Sequence, residues 1–249
     1  IPHILDDVLT HYPYPVEFRL SNHYPVLDYQ TQYGETDYDF ITRLMGEHGI
    51  NYYFEHTQDQ HTLILTDQNS HYQPQPNPHY QNLIIYPPNQ RMPNYAEYIE
   101  HFHPAQALVT GQSLLADYQF KTPKLTLTAH DQYQWDNVHN DLQHYEWQQG
   151  MGVDNEALQT KANNRTQADY QYGQRAIGQG RLKAINVGHT FTLSNHPHTD
   201  SNIEWLVIGI QTTIQNLDPD NRTHQYYTAD TQFLVQPKAI ELKPDAPTN

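Results

Sequence analysis

Residues 32–56 read QYGETDYDFITRLMGEHGINYYFEH and carry more regular patterning than the rest of the chain. Thr36 stands three residues before Asp39, which is the spacing of a capping box at the start of a helix. Apolar or aromatic side chains then recur at intervals of three and four, namely Phe40, Ile41, Leu44, Met45 and His48. Gly49 suits a left-handed helix end, so this stretch predicts a helix with one buried face.

A hairpin is predicted directly after the helix. Residues 50–54 are apolar and aromatic, and residues 61–67 alternate leucines with threonines and isoleucine across a polar turn at 57–60. The acidic residues Glu35, Asp37 and Asp39 lie where the helix dipole favours anions. The sequence therefore predicts a helix that packs on a hairpin. The acidic cluster is explained by its position at the helix start and does not require a catalytic role.

Composition limits the number of domains, the kinds of partner and the kinds of site that the chain can have. The chain has 249 residues and 37% hydrophobic content, which allows one or two domains with a sizeable core. Its 13 basic and 28 acidic residues give a formal charge of −15, so nucleic acid is not expected as a partner. Cysteine is absent, which excludes disulfides and thiolate metal sites. No stretch approaches the roughly 20 apolar residues of a membrane span, and no signal peptide is recognisable.

Patterning predicts an α+β fold in four regions. Residues 1–72 form the α+β helix and hairpin module, which also contains a short helix after Pro2 and a strand near 16–20. Residues 73–110 are rich in proline, asparagine and glutamine and form a crossing segment. Its strands, at 82–86 and 95–102, are expected to pair outside the module.

The second half of the chain is predicted to be an antiparallel barrel or sandwich. Residues 111–236 contain short strands separated by turns, with a helix near 154–172 that Asp154 can cap. Residues 237–249 read as a linker to a downstream domain. Because the chain starts with Ile1 and a helical pattern begins at once, it is expected to be a fragment of a longer protein.

Several residue groups are candidates for a catalytic or metal-binding site. His101 with His103, and His196 with His198, are spaced to share one side of a strand, but neither pair has a third ligand at a recognisable spacing. Asp6 with Asp7 and Asp37 with Asp39 do not face each other as an acid and base pair. No nucleophile elbow or phosphate-binding loop is present. The sequence thus predicts no catalytic, cofactor-binding or metal-binding residue, no cofactor, and no enzyme activity.

Tyrosine is unusually frequent, with 20 copies. Its large apolar face and polar tip suit binding to sugars or protein partners. Aromatic residues also favour strands, so a purely structural role in barrel and hairpin is the preferred interpretation. Exposed aromatic clusters would favour a binding surface instead.

The opening third of the chain resembles the VgrG family of type VI secretion spike proteins. The resemblance is carried by Tyr24-Pro25 and by segments 33–44, 49–56 and 61–67, in matching order and spacing. Weaker agreement continues through Asp117-Tyr118-x-Phe120, the helix near Arg165, residues 188–197 and Trp205-Leu206-Val207. The structural motif of the family consists here of Tyr33, Glu35, Thr36, Asp37, Asp39, Phe40, Arg43, Leu44, Gly49, Ile50, Tyr53, Phe54 and His56.

The resemblance implies a mainly antiparallel β-barrel fold similar to the baseplate hub of contractile phage tails, in which two barrels per subunit build a trimeric ring. The implied partners are two further copies of the intact protein, a hexameric Hcp-like tube protein, a PAAR-like tip protein, and effectors or adaptors. The implied location is bacterial, with synthesis in the cytoplasm and secretion by the type VI system to the exterior or into a target cell. The resemblance also implies that the strands at 82–86 and 95–102 belong to a first barrel that is truncated here. Because the early strands of the first barrel and the needle are expected outside residues 1–249, this fragment alone is expected to be monomeric or weakly associating.

The leading hypothesis for function is a structural part of a puncturing device that matches symmetry and helps deliver effectors. A baseplate hub of a contractile phage or phage-like particle is the nearest alternative. A carbohydrate-binding module and an effector hydrolase are alternatives of another class, and for the hydrolase we find no convergent acid, base or nucleophile.

Overall fold

The structure, a computed structural model, describes residues 1–86, 97–119, 121–133, 141–148, 154–216 and 227–245. Within these residues the α-helices are Pro2–Leu9 (α1), Asp37–His48 (α2) and Asn155–Tyr170 (α3). The strands are, in chain order, Val16–Arg19 (β1), Asn51–His56 (β2), His61–Thr66 (β3), Gln73–Pro74 (β4), Asn82–Ile84 (β5), Ile99–Gln106 (β6), Gln112–Tyr118 (β7), Thr126–Gln132 (β8), Gln143–Trp147 (β9), Gln174–Gly180 (β10), His189–Ser194 (β11), Glu204–Asn216 (β12) and Tyr227–Pro237 (β13).

Contacts divide the chain into two compact units. Unit 1 comprises residues 1–71, 107–173 and 241–249, and unit 2 comprises residues 72–106 and 174–240. Each unit is assembled from segments that are separated in the sequence. A cut of the chain at one or two positions therefore does not divide it into its structural units.

The helix and hairpin of unit 1 form as the sequence predicts. The Thr36 hydroxyl accepts a hydrogen bond from the Asp39 amide at 3.1 Å, and the Asp39 carboxylate reciprocates toward the Thr36 amide, so the predicted capping box is confirmed. At the other end Gly49 has φ of 69° and lets the Ile50 amide donate to the Met45 carbonyl. β2 then pairs antiparallel with β3, and β1 pairs parallel with β3 on its other side.

One apolar face of this three-stranded sheet is covered by helices. The predicted stripe of α2 is confirmed, because its four apolar members are buried, and Leu5 and Leu9 of α1 join the same core. Val16, Phe18 and Leu63 pack against that core from the sheet. The stripe, at a helical period, therefore fixes which side of α2 faces the strands.

A second sheet in unit 1 has the order β8-β7-β9 and packs against α3. Asp154 caps α3, since its carboxylate accepts a hydrogen bond from the Ala157 amide at 2.9 Å, as predicted. The small core beneath the helix consists of Leu115, Leu127, Ala129, Leu158 and Ala162. Along β8 the buried residues Leu127 and Ala129 alternate with exposed threonines and a histidine, which is how a strand buries one side only.

Unit 2 is a seven-stranded, curled half-barrel sheet with the order β4-β11-β12-β13-β10-β6, and β5 also pairs with β11. Its central pairs, β11 with β12, β12 with β13, β13 with β10 and β10 with β6, are antiparallel, while β4 and β5 add to β11 in parallel. The core is aromatic, with Phe102, Phe191, Trp205 and Phe233 all buried. The predicted α+β class with mainly antiparallel strands is thus confirmed.

Strand partners differ from the expectation for residues 73–110. β5 pairs with β11 and β6 pairs with β10, so both find neighbours inside this chain rather than in a separate, truncated barrel. Residues 95 and 96 of the expected second strand lie outside the described residues. Local patterning predicts that a segment forms a strand, but packing between distant segments determines the strand with which it pairs. The pattern of residues 73–110 therefore does not predict these partners.

The grouping of residues 111–236 and 237–249 also differs from the predicted division. β7, β8, β9 and α3 belong to unit 1, whereas β10 to β13 form unit 2. The segment expected to be a linker is anchored in unit 1, because the Leu242 and Lys243 carbonyls accept hydrogen bonds from the Asn51 and Gln171 amides, both at 2.6 Å. Residues 246–249 lie outside the described residues.

Candidate functional site

The family motif of residues 33–56 separates into buried and exposed members. Leu44 and Ile50 are fully buried, and Phe40, Gly49 and Tyr53 are buried as well. Asp37 accepts hydrogen bonds from the Tyr12 hydroxyl and the Gln32 amide, which is consistent with a role at the helix start. The exposed members include Tyr33, Phe54 and His56. The designation of the full set as a motif shared by the family remains a prediction.

Arg43 holds the segment before α2 against the helix. Its guanidinium donates to Glu35 at 2.5 Å and to Glu47 at 3.2 Å, and it lies 5.4 Å from the centre of the Phe40 ring. The hydrogen bond from Arg43 keeps the pKa of Glu35 below its ordinary value. Arg43 and Glu35 thus have a structural role, because they fix the loop that leads into the capping box.

On the side of the sheet away from the helices, Arg19 joins the two edge strands. Its guanidinium reaches across β3 and donates to Glu55 and to the Tyr53 hydroxyl on β2, each at 2.7 Å, and to Glu17 on β1 at 2.8 Å. Burial raises the pKa of Tyr53, and the hydrogen bond from Arg19 lowers the pKa of Glu17. These hydrogen bonds and ion pairs link β1 to β2 across the sheet. Both carboxylates are bound by Arg19, so they do not form a catalytic acid and base pair.

The apolar side of the sheet is left uncovered at its edge strand. In the β2–β3 ladder Tyr52 stands opposite Leu65 and Phe54 opposite Leu63, so these aromatic residues extend the face that α1 and α2 cover elsewhere. Tyr52 is 41% exposed and Phe54 is 46% exposed. An apolar face therefore continues from the core to the surface.

Side-chain contacts organise this edge into a continuous aromatic row, which consists of Tyr38, Tyr52, Phe54, His56 and His61. The two tyrosine hydroxyls lie 3.2 Å apart, and their hydrogen bond raises the pKa of Tyr52 to about 12. The Tyr52 and Phe54 rings meet edge to face at 6.3 Å, and Phe54 stacks on His56 at the same centroid distance. A contiguous exposed patch of this kind is typical of an interaction surface.

Sequence reasoning named Phe54 and His56 but missed Tyr38, Tyr52 and His61 as members of a common surface. The usable signal was the period-two spacing of residues 52, 54 and 56 on a predicted strand, which places them on one side. The prediction of a helix that packs on a hairpin does not say how much of that side the helix covers. How far a helix covers a sheet depends on tertiary packing, which periodicity does not reveal.

The two histidine pairs considered as metal ligands take other roles. His101 and His103 share one side of β6 with their rings stacked at 6.0 Å and an interplanar angle of 11°. The His196 ring lies within hydrogen-bonding distance of the Phe102 and His198 carbonyls in a tight turn. Over the described ranges, no group of three or more His, Cys, Asp or Glu side chains is arranged to hold a metal ion. In the same part of the chain, no helix is long and apolar enough to span a membrane.

Solved structures with this fold are tail and secretion proteins. The tail protein of Neisseria meningitidis superposes with a TM-score of 0.65 at 14% identity, covering 98% of this chain and 68% of that one. The E. coli c3393 protein, a type VI secretion component described as structurally similar to the T4 tail proteins gp27 and gp5, superposes with a TM-score of 0.60 at 15% identity. That match covers all of this chain and 52% of that one. The chain therefore shares its fold with this class of tail and type VI secretion proteins.

The sequence places the chain within that class. Residues 1–217 match the family model of the phage tail baseplate hub (GPD), and the chain belongs to this family. It is also 32% identical over 195 residues to the type VI secretion system spike protein VgrG1b of Pseudomonas aeruginosa, a match that covers 78% of this chain. The chain spans about a quarter of the length of that relative, 26%.

Proposed function

We propose that this chain is the hub-like region of a type VI secretion spike, a structural part of the puncturing device with no catalytic turnover. The match of residues 1–217 to the baseplate hub family, together with the likeness to a protein named as a type VI spike, carries this proposal. The contacts of the motif support it, because its charged side chains are used to cap α2 and to fix the loop before it. Such a region works by holding its shape while force is transmitted.

The proposed partners follow from the same role. The intact protein forms a homotrimer that meets a hexameric, Hcp-like tube protein, carries a PAAR-like tip protein, and helps deliver effectors or adaptors. It is made in the bacterial cytoplasm and leaves the cell through the type VI system. The exposed aromatic row provides an apolar surface of the kind that protein partners bury.

A genetic experiment tests the proposed function. The gene is deleted in frame in its own bacterium, and tube protein in the culture medium is measured with and without complementation by the intact gene. We expect the deletion to abolish tube release and complementation to restore it. Unchanged tube release, in a strain with a single spike gene, would contradict the proposal.

A contractile phage or phage-like hub is the alternative within the structural class, and the fold shared with the Neisseria tail protein favours it. The same deletion strain distinguishes the two roles. After treatment with a DNA-damaging agent, a phage hub would be required for release of contractile particles visible by electron microscopy. Under the type VI proposal, particle release is unchanged by the deletion.

The oligomeric state is tested by light scattering. We expect the intact protein to have the mass of a trimer and residues 1–249 alone to have the mass of a monomer, because most of the length of the curated relative lies outside the matched region. A stable trimer of residues 1–249 would refute the second expectation while leaving the first in place.

A carbohydrate-binding role is a second candidate, and the exposed aromatic row favours it, because aromatic faces bind sugar rings. A glycan array probed with the wild-type chain and with the Tyr52→Ala/Phe54→Ala variant tests it. Binding that the double substitution abolishes would support this role. Absence of binding by the wild-type chain would exclude it for the glycans on the array.

A further inference from the structure

We propose that His56 and His61 form a two-histidine site for one late first-row divalent ion, Cu²⁺ most tightly, at the end of the β2–β3 hairpin. Their Nδ1 atoms lie 2.6 Å apart, and the centres of their rings lie 4.7 Å apart. Both side chains are exposed, so an ion can reach them. The test of this site does not depend on the role in secretion proposed above, although the two histidines belong to the aromatic row offered there as a partner surface.

Strand register brings the two rings together. His56 and His61 are directly opposite each other in the antiparallel ladder, and they form its last pair before the turn. The next two residues outward are joined by a hydrogen bond from the Thr57 amide to the Gln60 carbonyl at 2.8 Å. Because hydrogen-bonded and non-hydrogen-bonded pairs alternate, the histidines form a non-hydrogen-bonded pair, the type in which side chains approach most closely.

Neighbouring contacts hold this geometry without a metal. The Phe54 ring stacks on His56 with an interplanar angle of 22° and restricts its rotation. In the turn, the Thr57 hydroxyl donates to the Gln60 carbonyl at 3.2 Å, and the Gln60 amide donates to the Thr62 hydroxyl at 3.1 Å. Side chains that are already ordered lose less conformational entropy when a ligand binds.

Coordination requires both rings to turn, because their Nδ1 atoms point almost directly at each other, whereas in a right-angled N–metal–N unit each bond lies roughly 45° from the line between the nitrogens. For metal–nitrogen bonds of about 2.0–2.1 Å, two nitrogens at a right angle stand about 2.9 Å apart. The Nδ1 atoms therefore need to separate by about 0.3 Å, and a right angle is the one that Cu²⁺ prefers. Binding requires both rings to carry their proton on Nε2, so the proton now between the Nδ1 atoms moves to an exposed Nε2 through solvent, with no net proton change for two neutral rings.

The site presents two protein ligands. No third His, Cys, Asp or Glu side chain joins them among the described residues, so water completes the coordination of the ion. Imidazole ligands favour Cu²⁺ over Ni²⁺ and Zn²⁺, in line with the general order of divalent affinities. The formal charge of −15 adds an attractive field for any cation.

The other two histidine pairs make a useful contrast. His101 and His103 stack with nearly parallel rings at 6.0 Å, so they do not offer two nitrogens that converge on one point. His196 already directs both ring nitrogens toward backbone carbonyls. Proximity alone therefore does not distinguish the His56–His61 pair; the convergence of two ring nitrogens does.

Calorimetric titration of tag-free residues 1–249 with Cu²⁺ tests the site, with Ni²⁺ and Zn²⁺ as weaker probes. We expect one tight Cu²⁺ site whose paramagnetic resonance spectrum shows two nitrogen ligands. His56→Gln and His61→Gln each remove a direct ligand. Loss of an outer-shell partner weakens metal binding by about 10- to 100-fold, and we expect each of these variants to weaken Cu²⁺ binding by at least as much. Circular dichroism confirms that these exposed substitutions leave the fold intact.

His101→Gln/His103→Gln serves as the matched control, because it also removes exposed strand histidines. Retention of the tight site in the control, together with its loss in both single variants, supports the proposal. Unchanged Cu²⁺ affinity in His56→Gln or His61→Gln would overturn it. Equal weakening in the control would also overturn it, since that result assigns the copper to non-specific binding by the 17 histidines of the chain.

Discussion

The helix and hairpin of unit 1 are built from contacts between residues that are close in the sequence. The seven-stranded sheet of unit 2 is built from contacts between distant segments. The capping box, α2, β2 and β3 follow one another along the chain, so each contact is made by near neighbours. In unit 2 the Ser194 hydroxyl donates to the Leu83 carbonyl from a residue 111 positions away. Local signals therefore decide the first structure, whereas the second depends on packing between distant segments.

Both regions have an apolar core, and the helix and hairpin region also has a buried polar anchor. Near the hairpin, the fully buried Asp67 carboxylate accepts hydrogen bonds from the Ser21 and Asn22 amides and the Tyr24 hydroxyl, all at 2.7–3.1 Å. The sheet of unit 2 instead encloses a cluster of aromatic rings around Phe233. The hydrogen bonds to Asp67 fix the geometry of the chain beside the hairpin. The aromatic core stabilises the sheet of unit 2 mainly through the apolar area that it buries.

Truncation of the aromatic core should produce the largest effect. Phe233 is 2% exposed and contacts Phe191 and Phe102, so we expect Phe233→Ala to lower the free energy of unfolding by about 3–5 kcal/mol. Phe54→Ala is the matched control in the hairpin, where the ring is 46% exposed, and it should cost less than about 1 kcal/mol. Urea unfolding followed by circular dichroism measures both. Equal losses would show that the aromatic row is as important to stability as the core.

Two glycines with positive φ allow a second test, this time within unit 1. Gly34 has φ of 66° with nothing within 4 Å of an added Cβ, so Gly34→Ala should cost about 1–2 kcal/mol from backbone strain alone. At Gly49, with φ of 69°, an added Cβ would lie 2.7 Å from the Asn164 amide nitrogen, so Gly49→Ala should cost more. Both free energies come from urea unfolding.

A double substitution separates the two causes at Gly49. If the excess cost comes from crowding, Asn164→Ala in the Gly49→Ala background should reduce the loss to that of Gly34→Ala. No recovery would mean that crowding against the α3 side chain does not set the cost.

Sequence reasoning succeeded where the physical cause is local. Thr36, Asp39, Gly49 and Asp154 act over three or four residues, so their capping roles were readable from spacing alone. The sequence pattern does not predict which strands lie beside β5 and β6, because a strand with a given pattern can pair with any compatible edge strand. The exposure of Tyr52 and Phe54 was missed for a related reason, since periodicity shows which side is apolar and leaves open how much of it a helix covers.

A half-buried histidine makes the stability of the helix and hairpin region depend on pH. His48 is half-buried at the end of α2, and burial, followed by repulsion from Lys161, lowers its pKa from 6.5 to about 3. Since the unfolded chain then binds the extra proton more readily, the stability contributed by neutral His48 is complete above pH 6.5 and is lost as pH falls below it. Between pH 7 and pH 5 we expect a loss of about 1–2 kcal/mol from this group.

The variant His48→Gln removes this contribution. Its urea unfolding free energy should fall less than that of the wild type between pH 7 and pH 5, and the difference should equal the loss assigned to His48. Parallel pH profiles for the two proteins would show that His48 titrates in the folded chain as it does in the unfolded one.

The capping box gives the smallest and most local effect. Thr36→Ala removes the acceptor for the Asp39 amide, and we expect it to lower the free energy of unfolding by about 1 kcal/mol. Thr36→Ser keeps a hydroxyl in the same place and should stay close to the wild type. Hydrogen exchange should show faster amide exchange in the first turn of α2 for Thr36→Ala and unchanged exchange in β10 and β13, because a cap acts on the backbone groups of its own first turn. A uniform increase over both regions would mean that the local signal also controls the long-range sheet, and the contrast between the two regions would disappear.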